Sequence, residues 1–366
     1  MKKAASFALG CKVNQYESEA IAELFAEKGY EIVGIDEEAD VYVINTCTVT
    51  NFGDKKSRQL IRKVKRQNEN AIVAVVGCYA QTAPKELMEI AGVNLVIGTK
   101  DRAQIVEMVE QYDRANGVEN HVSDIMKERV FEPLSIQKLA NRTRAYLKIQ
   151  DGCSQYCSYC IIPYARGPIR SREPQEVVAE VKRLAENGFK EVVLTGIHVA
   201  SYGKDRRDTS LLDILKQVHE VEGIERIRFS SIEPNVVTEE FAQTMAALPK
   251  VCDHFHLSLQ SGCDKTLKEM NRKYDTEKYR QAAAMLRKYL PKVALTTDII
   301  VGFPGETEED FRESYAFAEE IGFAKIHVFP YSPKRGTPAA ARKDQLLNAV
   351  KSERSHTLIQ LSDRMA

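Results

Sequence analysis

The chain has 366 residues, with 52 lysines and arginines set against 52 aspartates and glutamates, so its formal net charge at pH 7 is zero. That length exceeds a usual single core and implies two domains, or a barrel with an appended domain; the charge balance leaves nucleic-acid binding to local patches. Eight cysteines are too few for a disulfide scaffold, and no window approaches the roughly 18 apolar residues of a membrane span, so reduced, metal-binding thiols in a cytoplasmic protein are expected.

In chain order, residues 4–9 read as a buried strand, and Asn14 is placed to cap a helix over 15–28 that Gly29 ends. Strands follow at 41–45, 71–77 and 94–97, with helices at 55–68, 84–90 and 102–115. Strands alternating with helices predict a doubly wound parallel sheet. Cys11, Cys47 and Cys78 each follow a strand of this series. In a parallel sheet the carboxyl ends share one edge, where open α/β sheets bind ligands. Three distant thiols are therefore expected to meet, either as a three-thiolate metal cluster or as separate buried cysteines. The helix over 55–68 is the most basic part of the chain, and Arg58, Arg62, Lys65 and Arg66 share a face, with Lys55 one turn earlier. That face is either a solvated surface or a phosphate-binding stripe for RNA.

Residues 126–139 lose periodicity and read as a linker between a domain at 1–125 and a second at 140–340. The second domain repeats a βα unit, with strands expected at 145–149, 191–195, 226–231, 254–259, 294–301 and 325–329. Helices are expected at 175–187, 211–221, 239–248, 276–289 and 308–321. Six such units make a partial barrel whose active site lies at the strand carboxyl ends. Those ends carry Gly196, Glu233, Gln260 and the Gly302-Phe303-Pro304-Gly305-Glu306 turn. Arg142, Arg144, Arg166, Arg170 and Arg172 suit either a rim for a polyanion or ordinary solvated surface. Cys252 and Cys263 read as structural, and His254 and His256 as core or mouth-lining.

After the first barrel strand comes Gly152-Cys153-Ser154-Gln155-Tyr156-Cys157-Ser158-Tyr159-Cys160. Three thiolates from one short loop can hold three corners of a cubane iron–sulfur cluster, leaving the fourth iron open. A zinc knuckle, or a disulfide pair with a spare thiol, are the other readings.

This CxxxCxxC stretch resembles the signature of radical S-adenosylmethionine enzymes. Leu9-Gly10-Cys11-Lys12-Val13-Asn14, Asn45-Thr46-Cys47-Thr48 and Val76-Gly77-Cys78 resemble the N-terminal trio of the methylthiotransferases. Gly10 to Glu19, Thr48-Val49-Thr50-Asn51 and Lys56-Ser57-Arg58 are most similar to the branch acting on N6-threonylcarbamoyladenosine in tRNA. The resemblance implies two [4Fe-4S] clusters, one on Cys153, Cys157 and Cys160 and an auxiliary one on Cys11, Cys47 and Cys78. It also implies S-adenosylmethionine, two per turnover, with Tyr159 near the adenine and Gly196, Glu233, Gln260, Gly302 and Gly305 lining its pocket. The implied reaction is radical methylthiolation at adenine C2 of position 37. Isopentenyladenosine, a ribosomal-protein aspartate, or a non-catalytic RNA-binding sensor are the alternatives. The implied partners are tRNA and an electron donor such as a flavodoxin or ferredoxin, with neither DNA nor membrane. Such proteins continue beyond the barrel into a β-rich RNA-binding domain; residues 341–366 read instead as a helical segment, so weak tRNA affinity is expected of this chain.

Overall fold

The computed structural model describes residues 1–136 and 144–365; Arg142 and the last part of the expected linker lie outside the described residues. The described residues form two compact units, one made of residues 1–154, 161–189 and 195–197, the other of 155–160, 190–194 and 198–366. Among them, no helix is long and apolar enough to cross a membrane.

The first unit runs β1 (Lys3–Ala8), α1 (Lys12–Glu27), β2 (Glu31–Ile32), β3 (Val41–Thr46), α2 (Asn51–Gln67), β4 (Ile72–Gly77), α3 (Cys78–Thr82), α4 (Pro84–Met88), β5 (Leu95–Val96), α5 (Ile105–Gln111) and β6 (Glu119–Asn120). β7 (Arg144–Asp151), α6 (Ile162–Arg166), β8 (Arg170–Ser171) and α7 (Pro174–Glu186) complete it. The six-stranded sheet has order β2-β1-β3-β4-β5-β6, and every pair is parallel. β3 is buried along its whole length, as a central parallel strand covered on both faces should be. Side chains alternate between the faces. Tyr42 and Ile44 pack with Ile61 and Val64 of α2, while Val41 and Val43 pack with Ile21 and Phe25 of α1. Each such buried side chain contributes about 1.5–3 kcal/mol of transfer free energy.

Two expected boundaries shift for visible reasons. α1 begins at Lys12 with Cys11 at its cap, because Asn14 is drawn inward and donates to the carbonyls of Leu9 (2.8 Å) and Thr46 (3.0 Å). α2 begins four residues early, because the Thr50 hydroxyl accepts from the Gly53 amide at 3.2 Å and caps it there. The two-residue strands β2 and β6 are too short for any periodic signal.

The second unit carries β9 (Glu191–Gly196, of which residues 191–194 belong here), α8 (Leu211–His219), β10 (Arg226–Phe229), α9 (Glu239–Ala247), β11 (His254–His256), α10 (Asp264–Glu269) and α11 (Thr276–Tyr289). β12 (Ala294–Val301), α12 (Glu308–Ile321), β13 (Lys325–Pro330) and α13 (Asn348–Met365) follow. β9 pairs with β10, β11 with β12 and β12 with β13, all parallel. Single bridges from Ile227 to Val251 and from Ile232 to Leu257 carry the sheet from β10 to the β11 segment. On β12, Leu295, Thr297, Ile299 and Val301 on one face are all buried; on the other, Thr296 is buried while Asp298 and Ile300 are only half-buried. α13 closes the outer side of β13, where the Ile326 amide donates to the Ser362 hydroxyl at 2.9 Å.

The first unit also buries ions. Glu17 on α1 pairs with Arg102 (2.6 Å), Lys148 (2.7 Å) and Arg166 (2.5 Å), and all four side chains are at most 1% exposed. Asp151 pairs with Lys148 at 2.6 Å and lies 3.5 Å from both Arg166 and Arg170; Glu132 pairs with Arg102. Burial alone would raise Glu17, but Arg102, Arg166 and Lys148 hold it well below the usual carboxylate range. Asp151 is likewise lowered against its burial, by Lys148, Arg166 and Arg170. Removing one partner of such a set strands the others without water. Glu17→Gln is expected to cost about 3–5 kcal/mol, read as a lower urea midpoint. Because both carboxyls titrate lower folded than unfolded, the unfolded chain binds more protons in acid. Their stabilisation is present above the unfolded value of about 4 and is lost as pH falls through the folded values. A urea midpoint that drops below about pH 4 in the parent, and drops less in the Glu17→Gln variant, is the expected pattern.

Candidate functional site

The order β2-β1-β3-β4 reverses direction between β1 and β3, and a crevice outside the carboxyl ends at such a switch point is where open α/β sheets hold ligands. Cys11 caps the helix after β1, Cys47 directly follows β3, and Cys78 opens α3 at the end of β4. The structure thus brings the N-terminal trio to one edge, as expected from the sequence. Gly10 adopts φ +102°, and a Cβ there would stand 2.7 Å from Cys47 Sγ, so only glycine lets the two loops approach this closely. Cys11 is exposed, Cys47 half-buried and Cys78 buried. Burial, opposed in part by Arg166, pushes the Cys78 thiol up to about 12, and the neighbouring Cys47 and Cys11 add to the rise. Burial raises Cys47 as well, again with Cys11 contributing. Gly10 thus brings the loop that carries Cys11 against Cys47, and Cys78 lies at the end of the neighbouring strand β4.

Arg166 does not sit where the sequence suggests. It belongs to no polyanion rim: it is fully buried, donating from Nε to Cys78 Sγ at 3.2 Å and from Nη2 to Asn14 Oδ1 at 2.6 Å. Arg170 and Arg172 are buried too, in ion pairs with Asp151 and Glu180. Of the expected rim, only Arg144 is exposed among the described residues. Four buried cations, Arg102, Lys148, Arg166 and Arg170, face three carboxylates, Glu17, Asp151 and Glu132, leaving one positive charge in excess beneath the thiols.

Beside Cys11 lies a cleft of about 310 Å³ lined by Phe7, Gly10, Gln15 and Glu19. A second groove of about 590 Å³ runs along α2, lined by Phe7, Lys56, Arg62, Lys63 and Arg66. The basic face is narrower than the sequence suggests. Arg58 is tied to the Tyr79 hydroxyl (2.8 Å) and Lys65 to the Ala71 carbonyl (3.1 Å), while Lys55, Arg62 and Arg66 remain exposed.

Cys153, Cys157 and Cys160 lie on the loop between β7 and α6. Cys153 falls in the first unit and the other two in the second. Gly152 has φ +74°, and a Cβ there would lie 1.9 Å from the Pro168 carbonyl oxygen; the Cys153 amide then donates to Gly167 at 3.0 Å. In the second unit the loop is pinned at Ser158, whose amide donates to Met270 (3.0 Å) and whose carbonyl accepts from Ala339 (2.8 Å). Arg272 donates from Nη1 to Cys157 Sγ at 3.1 Å and lies 3.4 Å from the Tyr159 hydroxyl. Its Nη2 donates to Glu233 at 2.7 Å, and His198 approaches the other Glu233 oxygen at 3.3 Å. Burial would raise Glu233, but His198 and Arg272 hold it below its ordinary value. Each cysteine set therefore receives one arginine N–H on a sulfur, and neither arginine is singled out for that role by sequence pattern.

The other expected pocket residues divide. Gln260 sits at φ +73°, a strained value for a side-chain-bearing residue, at the carboxyl end of its strand segment. Gly302 and Gly305 turn their Cβ positions towards Lys351 and Arg342, so the chain itself fills that side. Gly196 packs on Gln150. Among the described residues no cysteine forms a disulfide.

Residues 147–318 match the Radical SAM superfamily and residues 3–98 match "Uncharacterized protein family UPF0004". The chain is 50% identical, over its whole length and 81% of the relative's, to the threonylcarbamoyladenosine tRNA methylthiotransferase MtaB of Bacillus subtilis. It is 40% identical to the protein of that name in Aquifex aeolicus, over 99% of this chain and 88% of that one. It is 38% identical to the tRNA-2-methylthio-N(6)-dimethylallyladenosine synthase of a Thermoanaerobacter species, over 98% and 77%. The fold is similar to that of the radical S-adenosylmethionine methyltransferase TsrM from Kitasatospora setae, at a TM-score of 0.65 and 17% identity over 93% of this chain and 75% of that one. With two cysteine sets in order along a chain matched end to end by these relatives, the protein belongs to the radical S-adenosylmethionine methylthiotransferases.

Proposed function

We propose that the chain methylthiolates N6-threonylcarbamoyladenosine in tRNA, at adenine C2 of position 37. The observation that carries this is the placement of Cys11, Cys47 and Cys78 at the carboxyl ends of the adjacent strands β1, β3 and β4, in a chain half identical to a relative named for that substrate. The donor set suits an iron–sulfur cluster. Three sulfurs are supplied, one sulfur accepts from Arg166, and one buried positive charge is in excess. An oxidised cubane on three thiolates carries a net single negative charge, which that excess balances. Cys153, Cys157 and Cys160 would hold the second cluster and S-adenosylmethionine, two molecules of which serve each turnover. Bound there, the cluster and cofactor would supply radical chemistry driven by one electron from a flavodoxin- or ferredoxin-type donor.

The chain's own residues do the rest. Arg272 fixes Cys157 while Glu233 and His198 fix Arg272. Arg166 holds Cys78 through a hydrogen bond that also favours the charged form of its sulfur. Hydrogen bonds to cluster sulfur set reduction potential, so both arginines bear on electron transfer. Lys55, Arg62 and Arg66, all exposed on α2 and the latter two lining its groove, would meet tRNA phosphates, and an anticodon-loop base is splayed at lower cost than a paired one. The 38% identical dimethylallyladenosine synthases make that tail the second reading.

Serine at Cys11, Cys47 and Cys78 together is expected to lower iron from about eight to about four atoms per reconstituted chain while leaving 5′-deoxyadenosine formation intact. Serine at Cys153, Cys157 and Cys160 should abolish that cleavage. Iron analysis and chromatography of the cleavage products decide, and loss of both clusters from either set would contradict the assignment. Replacing Lys55, Arg62 and Arg66 by glutamate should weaken tRNA binding and reduce its salt slope by about one for each phosphate no longer neutralised. Cleavage of the cofactor without tRNA should be unchanged.

A further inference from the structure

One polar cluster of the second unit plays no part in the chemistry above. His256 on β11, Asp298 on β12 and His327 on β13 place a ligand atom each within 4.8 Å of one another. The register explains why: His256 stands opposite Thr296, two residues before Asp298, and Asp298 stands opposite His327. All three lie on one face of the sheet and are half-buried or exposed, whereas Thr296 beside His256 and the strand neighbours Phe255, Ile299 and Ile326 are buried. His256 is held at Nδ1, 3.1 Å from the Thr296 hydroxyl, while its Nε2 approaches Asp298 Oδ2 at 3.2 Å without a hydrogen bond. His327 is not held. It stacks on His256 with centroids 5.7 Å apart and rings inclined by 25°, and among the described residues it has no hydrogen-bond or ion-pair partner. Phe329, two residues nearer the carboxyl edge on the same face, is 49% exposed. Two strand residues span about 7 Å, so an aromatic platform and an uncommitted imidazole sit one above the other on an open face.

This edge is also where the cysteine loop docks. Ser158 is held by Met270 just past α10 and by Ala339 beyond β13, and Arg272 reaches Cys157 from the segment after α10. The open face thus leads, within one unit, away from the reactive end of the strands.

We propose that His327, seated on His256 and backed by Asp298, recognises the amino-acid tail of the modified adenosine. This rests on the threonylcarbamoyl reading above. That tail carries a carboxylate, which His327 takes through its ring N–H, and a hydroxyl, which donates to Asp298. His256 stands 3.2 Å from Asp298 Oδ2, which leaves the other carboxylate oxygen for the tail's hydroxyl. A dimethylallyl tail has neither group. Against it, the imidazole and carboxylate would lose water and gain no partner, and sites built to hydrogen-bond a substrate reject analogues lacking the group. The near-parallel rings suit this better than a metal: nitrogens of stacked imidazoles point alongside one another, not at one centre.

The test uses the full chain, anaerobically reconstituted, with tRNA bearing either the threonylcarbamoyl or the dimethylallyl adenosine. His327→Leu is expected to raise KM for the threonylcarbamoyl tRNA about 10- to 100-fold, the loss of one hydrogen bond to a charge, with kcat changed far less. Iron content and cofactor cleavage without tRNA should match the parent chain, and His327→Gln, which keeps an N–H donor, should restore most of the affinity. His327→Leu should also narrow the preference between the two tRNAs. A KM within twofold of the parent overturns the proposal, as does an equal loss on both tRNAs. Zinc or manganese at one per chain in the parent, lost in His327→Leu, would overturn it in favour of a metal centre. A parent chain that turns over only the dimethylallyl tRNA would overturn the substrate reading itself, a result separate from any behaviour of the variants.

Discussion

The contact on which the first unit depends is the buried guanidinium of Arg166. It touches Glu17, Asn14 and Cys78 at once, and so couples the start of α1, the end of β4 and the segment that follows the CxxxCxxC loop. Taking an arginine wholly out of water costs several kcal/mol unless carboxylates and acceptors replace it. Here Glu17 and Asp151 do so, and their own burial is tolerable only because Arg102, Lys148 and Arg170 share them. The network is therefore all or nothing. It draws β7, whose Lys148 binds Glu17, into the same compact unit as the N-terminal sheet.

The second unit solves a similar problem at smaller scale. Arg272 is held by Glu233, by the Tyr274 hydroxyl at 3.0 Å and by the Tyr274 ring at 4.9 Å, which leaves Nη1 directed at Cys157. Both arginines are oriented by carboxylates set behind them, so the sulfur contact is fixed before anything binds. Preorganised donors of this kind need no rearrangement at the moment a charge develops on the sulfur.

The alternation of strands and helices was readable because the long elements carry their period: β3 as a mostly apolar run, α11 and α12 as amphipathic stretches whose observed bounds coincide with the expected ones. The two cysteine triads were readable because their spacing and their places after strands are local facts. What escaped was long-range. Asn14 looks like a helix cap and is instead a bridge between two strand ends. Arg166 looks like one arginine among five near a loop, and only the fold brings it to Cys78, 88 positions away. The His256, Asp298 and His327 cluster comes from three strands whose register no single sequence displays.

The graded burial of the N-terminal thiols also bears on how the metal-free chain ages. In thiol–disulfide exchange the attacking species is the thiolate. Cys78, with its thiol pushed up to about 12 by burial, holds almost none at neutral pH, whereas Cys11 lies open to solvent. Oxidants in the medium meet Cys11 first, and the deepest of the three sulfurs stays reduced and ready for iron.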